Sequence, residues 1–106
     1  MKKYVILLGQ VGTQSPADDG VGVNFNVHQQ VFDSREEAEK YLKEVMIPDD
    51  KANLEYWYGL NDKDFDPPVE LSVEDISDDR KELVVYDKYD RSEVNTTMYE
   101  IVEIEV

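Results

Sequence analysis

The chain has 106 residues, contains no cysteine and carries a formal net charge of −14 at pH 7. A chain of this length can bury a hydrophobic core of its own, so we predict a single domain over residues 1–106. The missing thiols exclude disulfide scaffolds, cysteine nucleophiles and thiolate metal sites. They also fit the reducing cytoplasm, where we expect the protein to reside.

Charge and hydropathy also limit the partners. The strong negative charge repels nucleic acids and anionic membranes, so a basic protein surface is the favoured partner. The N-terminal apolar run at residues 4–8 is shorter than the core of a signal peptide. No stretch approaches the roughly 18 apolar residues of a membrane span. We therefore expect neither direct nucleic-acid binding nor a membrane partner.

The first part of the chain predicts two neighbouring antiparallel strands. Lys3 to Gln10 is apolar on both faces, which is typical of a central strand covered on two sides. Glycines and turn-forming residues between Gly9 and Gly22 predict a flexible loop of about ten residues. Val23, Phe25 and Val27 then alternate with polar residues, which predicts a half-buried strand. The polar face of that strand, turned to water, would carry Asn24, Asn26 and His28.

A helix with a strong start signal follows these strands. Ser34 and Glu37 form a capping box, in which each side chain satisfies a free backbone amide at the helix start. Pro48 keeps the residue before it from helical angles, so we predict a helix over about residues 34–46. Its apolar stripe consists of Ala38, Tyr41, Leu42, Val45 and Met46.

The second half of the chain predicts mainly strands. Residues 52–60 are aromatic enough for a strand, but they also allow a helix, and both alternatives stay open. Alternation predicts a strand over Val69–Val73 with an acidic outer face, although a capped helical turn is an alternative there. Leu83–Tyr89 and Thr96–Val106 predict two more strands, with a bulge or two-sided burial at residues 98–101. The predicted fold is α+β: an antiparallel sheet of four to five strands with one amphipathic helix packed on one face.

Several site chemistries receive little support. His28 is the only histidine, which excludes histidine clusters, and no nucleophile motif lies beside it. The acidic residues are many, but none is predicted to sit in an apolar pocket beside a substrate, so we expect a non-enzymatic protein without a cofactor. The segment 62–66 resembles the front half of a calcium loop. Because Pro67 and Val73 replace the required glycine and glutamate, only a weak, irregular cation site is left as the alternative function.

The negative charge is concentrated in the middle of the chain. Residues 49–90 hold fourteen acidic and five basic residues, and residues 64–79 hold seven acidic residues and no basic one. A solvated acidic surface that only keeps the protein soluble is the simplest interpretation. Solubility, however, does not require the charge to be concentrated. The alternative is a segment that binds a basic surface.

This second interpretation includes imitation of nucleic acid, as in small inhibitors from phages and mobile elements. Duplex DNA carries one charge per about 3.4 Å of each strand, whereas alternating carboxylates on a β-strand repeat about every 6.6 Å. Two neighbouring acidic rows are therefore needed, and the outer faces of Val69–Val73 and Thr96–Val106 would supply them if these strands pair.

The predicted protein-binding residues combine this charge with an aromatic triplet. Trp and Tyr are frequent anchors of protein interfaces, although the only Trp of a small protein more often belongs to the core. We predict a small acidic protein that binds a basic macromolecular surface and has no metal site. The candidate interface residues are Tyr56, Trp57, Tyr58, Asp62, Asp64, Asp66, Glu70, Glu74, Asp75, Asp78 and Asp79.

Overall fold

A computed structural model describes residues 1–13, 21–64 and 66–106 of the chain. It contains a five-stranded antiparallel sheet and one helix of 23 residues, so the predicted α+β fold is confirmed. The spatial order of the strands is β2-β1-β5-β4-β3. The strands are β1 (Lys2–Thr13), β2 (Val21–Val27), β3 (Val69–Asp75), β4 (Arg80–Asp87) and β5 (Glu93–Glu105).

The helix begins as predicted but ends eleven residues later than the predicted 46. It consists of an α-helical segment Arg35–Tyr41, a π-helical turn Leu42–Met46 and a second α-helical segment Ile47–Trp57, together called α1. Ser34 Oγ accepts the N–H of Glu37 at 3.1 Å, and Glu37 Oε2 accepts the N–H of Asp33 at 3.3 Å. The capping box therefore forms, with its return bond made one residue before the cap.

The prediction that Pro48 ends the helix is wrong. The N–H of Ile47 donates to the carbonyl of Leu42, five residues earlier, instead of four. Such a wide turn gives the proline ring room and removes the need for the N–H that proline lacks. Residues 52–57 are consequently helical, which decides the alternative that the sequence left open.

Gly59 terminates the helix. Its φ of 73° lies in the left-handed region that favours glycine. The N–H of Leu60 donates to the carbonyl of Glu55 at 2.9 Å, and the N–H of Gly59 donates to that of Tyr56 at 3.2 Å. These two bonds form a Schellman motif, which satisfies carbonyls at the helix end.

The hydrophobic core lies between α1 and one face of the sheet. Val45, which was predicted to be buried, is 39% exposed, because the wide turn moves the buried helix positions to four-residue spacing. The buried core cluster is formed by Ile6, Phe32, Ala38, Leu42, Met46, Ile47, Leu83, Tyr99 and Ile101.

The other face of the sheet is not covered by a helix within the three described ranges and is here called the open face. Residues paired directly across antiparallel strands point to the same side, so the register shows which side chains it carries. Leu7 pairs with Val27 and Gly9 pairs with Phe25, all on the side away from α1. The open face includes Val5, Leu7, Gly9, Val11, Phe25, Val27, Glu70, Ser72, Glu74, Arg80, Glu82, Val84, Tyr86, Thr96, Met98, Glu100, Val102 and Ile104.

Two predictions about strand faces are therefore wrong. α1 covers β1 on the side of Ile6 only, although the sequence predicted cover on both sides. In β2, Phe25 is 71% and Val27 is 58% exposed, whereas Asn26 pairs with the core-facing Leu8. The register thus turns the apolar side of β2 toward the open face, and alternation alone could not indicate on which side the helix packs.

The structure differs from the sequence predictions at the first connection and at the predicted bulge. Gly9 and Gly12 belong to β1 and Gly22 belongs to β2, so the connection is shorter than predicted, and its residues 14–20 lie outside the described residues. The register shift occurs where Val85 pairs with Asn95 and the next β4 residue pairs with Glu93, and not at residues 98–101. Residues 98–101 instead alternate between the two faces of the sheet.

Candidate functional site: an acidic end with exposed aromatic side chains

The structure separates the predicted interface residues into two groups at opposite ends of β3. The six residue steps from Val69 to Asp75 correspond to about 20 Å. The group near the start of β3, here called the aromatic end, contains Tyr56, Trp57, Tyr58, Asp62, Asp64, Asp66 and Glu70. The group near the end of β3, here called the turn group, contains Glu74, Asp75, Asp78 and Asp79.

Most carboxylates of the turn group make contacts within the fold. Asp75 lies 2.9 Å from Lys81 Nζ, whose side chain is only 5% exposed. Asp79 lies 2.7 Å from Arg35 at the start of α1. The hydrogen bond from Lys81 and its positive charge lower the pKa of Asp75. These contacts tie the β3–β4 turn to the helix and the sheet, which makes Asp75 and Asp79 poor docking residues.

At the aromatic end, Tyr56 and Trp57 are each 77% exposed. The interpretation of Trp57 as a core residue is wrong, because the apolar stripe of α1 makes its last core contact at Leu54, before the helix ends at Trp57. Tyr58 is half-buried, and this burial raises its pKa. Tyr89, in the β4–β5 turn, is 84% exposed and was not predicted. A large aromatic residue inside the polar stretch 87–92 was the signal that could have identified it.

Two carboxylates of the aromatic end form ion pairs with basic side chains. Asp66 is 2.8 Å from Lys88 Nζ, and Glu70 is 2.9 Å from the guanidinium of Arg91. The hydrogen bond to Asp66 raises the pKa of Lys88. Asp62 makes a local contact, since its Oδ1 accepts the N–H of Asp64 at 3.0 Å.

The β4–β5 turn holds the exposed Tyr89 in place. Asp87 Oδ1 accepts the N–H groups of Tyr89 and Asp90 at 2.8 and 3.2 Å. Asp90 Oδ1 accepts the N–H and the hydroxyl of Ser92, and these bonds lower the pKa of Asp90. Arg91 adopts a φ of 63° and places its guanidinium 5.2 Å from the Tyr86 ring centroid.

A shallow groove connects the helix end to this turn. Glu55, which precedes Tyr56, and Lys88, which precedes Tyr89, line the same groove together with Leu60. The exposed aromatics thus belong to segments that border one concave surface, and carboxylates lie beside it. This arrangement can dock apolar side chains and attract cations.

A second cavity of about 270 Å³ lies between α1 and the sheet, beside Leu8, Asn53 and Leu54. Asp50 lines this cavity, but its carboxylate already accepts the Tyr99 hydroxyl at 2.6 Å.

Within residues 1–13, 21–64 and 66–106, no group of three or more His, Asp or Glu side chains is placed to hold a metal ion. None of the helical segments in these ranges has the length and apolar character needed to cross a membrane.

The two acidic rows required for imitation of nucleic acid are not neighbours. β4 lies between β3 and β5, so the strands do not pair. The rows also lie on opposite faces: Glu70 and Glu74 belong to the open face, whereas Glu103 pairs with Tyr4 on the helix side. The condition that these strands pair is therefore not met, and they do not supply two neighbouring acidic rows.

Comparisons with known proteins add no functional assignment. No family model matches the chain, no curated protein is similar to it, and no solved structure has a similar fold at a significant level.

Proposed function

We propose that this chain is a non-enzymatic cytoplasmic protein that binds a basic surface of another protein through the aromatic end. Exposed aromatic rings would insert into the partner, and the surrounding carboxylates would attract its Lys and Arg side chains. Where that basic surface is a nucleic-acid-binding groove, occupation would inhibit the partner.

The exposure of Tyr56 and Trp57, 77% each, is the observation that carries this proposal. Trp and Tyr dominate the binding energy of protein interfaces, because they bury a large area and lose few rotamers. Leaving two such rings in water costs hydrophobic free energy in the isolated protein, and a partner that covers them recovers it.

Charge supports a basic partner rather than a neutral one. The chain carries −14, and Asp62 and Asp64 lie in the loop directly after the aromatic helix end. Such a field accelerates encounter with a cationic surface and fixes its orientation, while the rings supply most of the affinity. Binding should therefore weaken steeply as salt rises.

The experiment is capture from a cell lysate on the immobilised full chain, with identification of the retained proteins. Partners should elute between about 50 and 500 mM salt. They should be lost with Trp57→Ala and weakened when Asp62 and Asp64 are both changed to Asn. Retention of the same proteins by Trp57→Ala would refute the proposed surface.

Matched controls separate a specific surface from bulk charge. Glu103→Gln with Glu105→Gln removes the same charge from the last strand, far along the chain from the aromatic end. Val31→Ala removes an exposed apolar side chain from the segment between β2 and α1 instead. Both controls should leave the captured proteins unchanged. Equal losses from the control and test variants would mean that net charge alone retains them.

A further inference from the structure

The open face has an apolar centre that no helix in the described parts of the chain covers. β1 contributes Leu7 and Val11 to it, and β5 contributes Met98, Val102 and Ile104, all of them half-buried. Val5 and Val84 on the same face are buried, whereas Phe25 and Val27 along the outer edge are exposed. Phe25 and Val27 thus form an exposed apolar border beside less accessible apolar side chains.

The apolar residues of β1 and β2 follow a pattern that is typical of a buried sheet face. β1 is apolar at odd and even positions alike, a pattern typical of strands covered on two sides, yet α1 covers one side. β2 places its apolar residues on the uncovered side and Asn26 on the other. Both strands thus place apolar side chains on the open face, where no helix within the described residues packs on them.

The dimensions of the stripe match one α-helix. From Thr96 to Ile104 the eight steps of β5 span about 27 Å, which equals the length of an α-helix of about 18 residues. The three strands β2, β1 and β5 are spaced over about 10 Å, close to the 10–12 Å diameter of a helix with its side chains. The face carries no continuous apolar area wide enough for a second sheet.

The border opposite Phe25 and Val27 is acidic. Glu74 and Glu82 are directly paired across β3 and β4 on this face, an arrangement in which like charges destabilise a sheet. Glu100 is directly paired with Arg80 across β5 and β4. The Arg80 guanidinium, however, contacts Met98 Sδ at 3.8 Å and forms no ion pair with Glu100. Within the described residues, no basic group lies within ion-pair distance of Glu82 or Glu100. Cations supplied from outside would relieve this repulsion.

We propose that the open face docks an amphipathic, cationic α-helix of another protein. The apolar side of that helix lies on Leu7, Met98 and Val102 beside Phe25 and Val27. Its Lys or Arg side chains reach the carboxylates of Glu82 on β4 and Glu74 on β3. A second copy of this chain fits less well, because it brings another net charge of −14 to an already acidic face. This proposal is independent of the aromatic end, which lies at the end of α1.

The test uses the full-length, isotope-labelled chain and a synthetic helical peptide of about 18 residues with leucines on one side and lysines on the other. Amide chemical-shift perturbation locates the binding, and titration gives Kd. The perturbed amides should lie in β1, β2, β4 and β5. Phe25→Ser and Val27→Ser should each weaken binding about tenfold or more, since each removes an apolar side chain from the contact. Both side chains are largely exposed, so the fold should tolerate the changes.

Controls make the result decisive. Val45→Ser changes an exposed valine on α1 and should leave Kd unchanged. Glu82→Gln should weaken binding severalfold and reduce its salt dependence, whereas Glu103→Gln should not. Equal binding of a peptide with glutamates in place of the lysines would overturn the charge argument. Perturbations confined to residues 56–66, abolished by Trp57→Ala, would assign the peptide to the aromatic end and overturn the open face as its site. A dimer of the free chain that dissociates on Val27→Ser would replace the helix by a second copy.

Discussion

The hydrogen bond between Tyr99 and Asp50 should be a main link between α1 and the sheet. Tyr99 is completely buried in the middle of β5, and its hydroxyl donates to Asp50 Oδ2 at 2.6 Å. Tyr99→Phe removes only the hydroxyl, so the ring packing should persist while the Asp50 carboxylate loses its partner. The change therefore isolates one contact between the two layers of the fold.

The loss of stability expected for Tyr99→Phe follows from the charge of the acceptor, the Asp50 carboxylate. A hydrogen bond to an ionised group contributes about 1.5–3 kcal/mol to the free energy of unfolding. An unfolding entropy of about 2.1 cal/mol/K per residue gives about 0.22 kcal/mol/K for this chain, so Tm should fall by about 7 to 13 °C. Because burial and the Asp50 carboxylate raise the pKa of Tyr99, the hydroxyl is protonated at neutral pH and available as a donor.

Thermal unfolding followed by circular dichroism measures this loss, and a double-mutant cycle with Asp50→Asn assigns it to the pair. The coupling energy should be at least about 1 kcal/mol. Tyr89→Phe, which removes an exposed hydroxyl from the β4–β5 turn, serves as the control and should leave Tm unchanged. A fall of less than about 2 °C for Tyr99→Phe, or additive losses in the cycle, would refute the role of this bond.

Four further predictions address the helix end, the two pH limits and the cation site. Gly59→Ala should cost about 1 kcal/mol, measured by chemical denaturation, because its φ of 73° strains any residue with a β-carbon. The hydrogen bond that the Tyr86 hydroxyl donates to Glu74 raises the pKa of Tyr86 from 10.0 to about 12. The stabilisation from this bond is therefore complete below about pH 10 and is lost as pH rises toward 12. Tyr86→Phe should flatten the alkaline fall in Tm, and an unaltered profile would contradict this. The lowered pKa of Asp75 implies stabilisation that is present above its ordinary value of 3.8 and lost as pH falls below it. Asp75→Asn, which strands the buried Lys81, should lower Tm at pH 7 and weaken the acid dependence. About 5 mM calcium should leave Tm unchanged, and a rise would restore the weak cation site in residues 62–66.

The strands β3 and β5 were predictable because the alternation of apolar and polar residues in them reflects local chemistry. The helix start was predictable for the same reason, since Ser34 and Glu37 make their bonds within one turn. The helix end was not, because a wide turn can absorb Pro48 only when core packing stabilises it. Gly59 carried a readable signal, a glycine just after an apolar helical residue, which favours a helix terminus at Tyr58.

The candidate site was predictable in composition but not in arrangement. The sequence identified Trp57 and the acidic middle, but it could not indicate that Glu70 and Glu74 lie on the open face while Glu103 lies on the other. The face on which a strand residue lies depends on the side of the sheet on which the helix packs. A one-residue shift in strand register moves every side chain of that strand to the opposite face. For the same reason Phe25 was assigned to the core and is in fact the most exposed apolar side chain described in β2.

The spatial arrangement changes the meaning of the charge. Several carboxylates of residues 49–90 are engaged by Lys81, Lys88, Arg35 or Arg91, so the acidic middle is partly a set of structural contacts. Among the carboxylates without a basic partner, Asp62 and Asp64 follow the exposed aromatic helix end, and Glu82 pairs with Met98 on the open face. Solubility alone would scatter such charges, whereas recognition of a partner that is both apolar and cationic requires them beside uncovered rings. Trp57 and Phe25 belong to separate surfaces. A partner that uses only one surface should therefore lose affinity on substitution of one of these residues and not of the other. For a partner that spans both surfaces, the two losses of binding free energy should add.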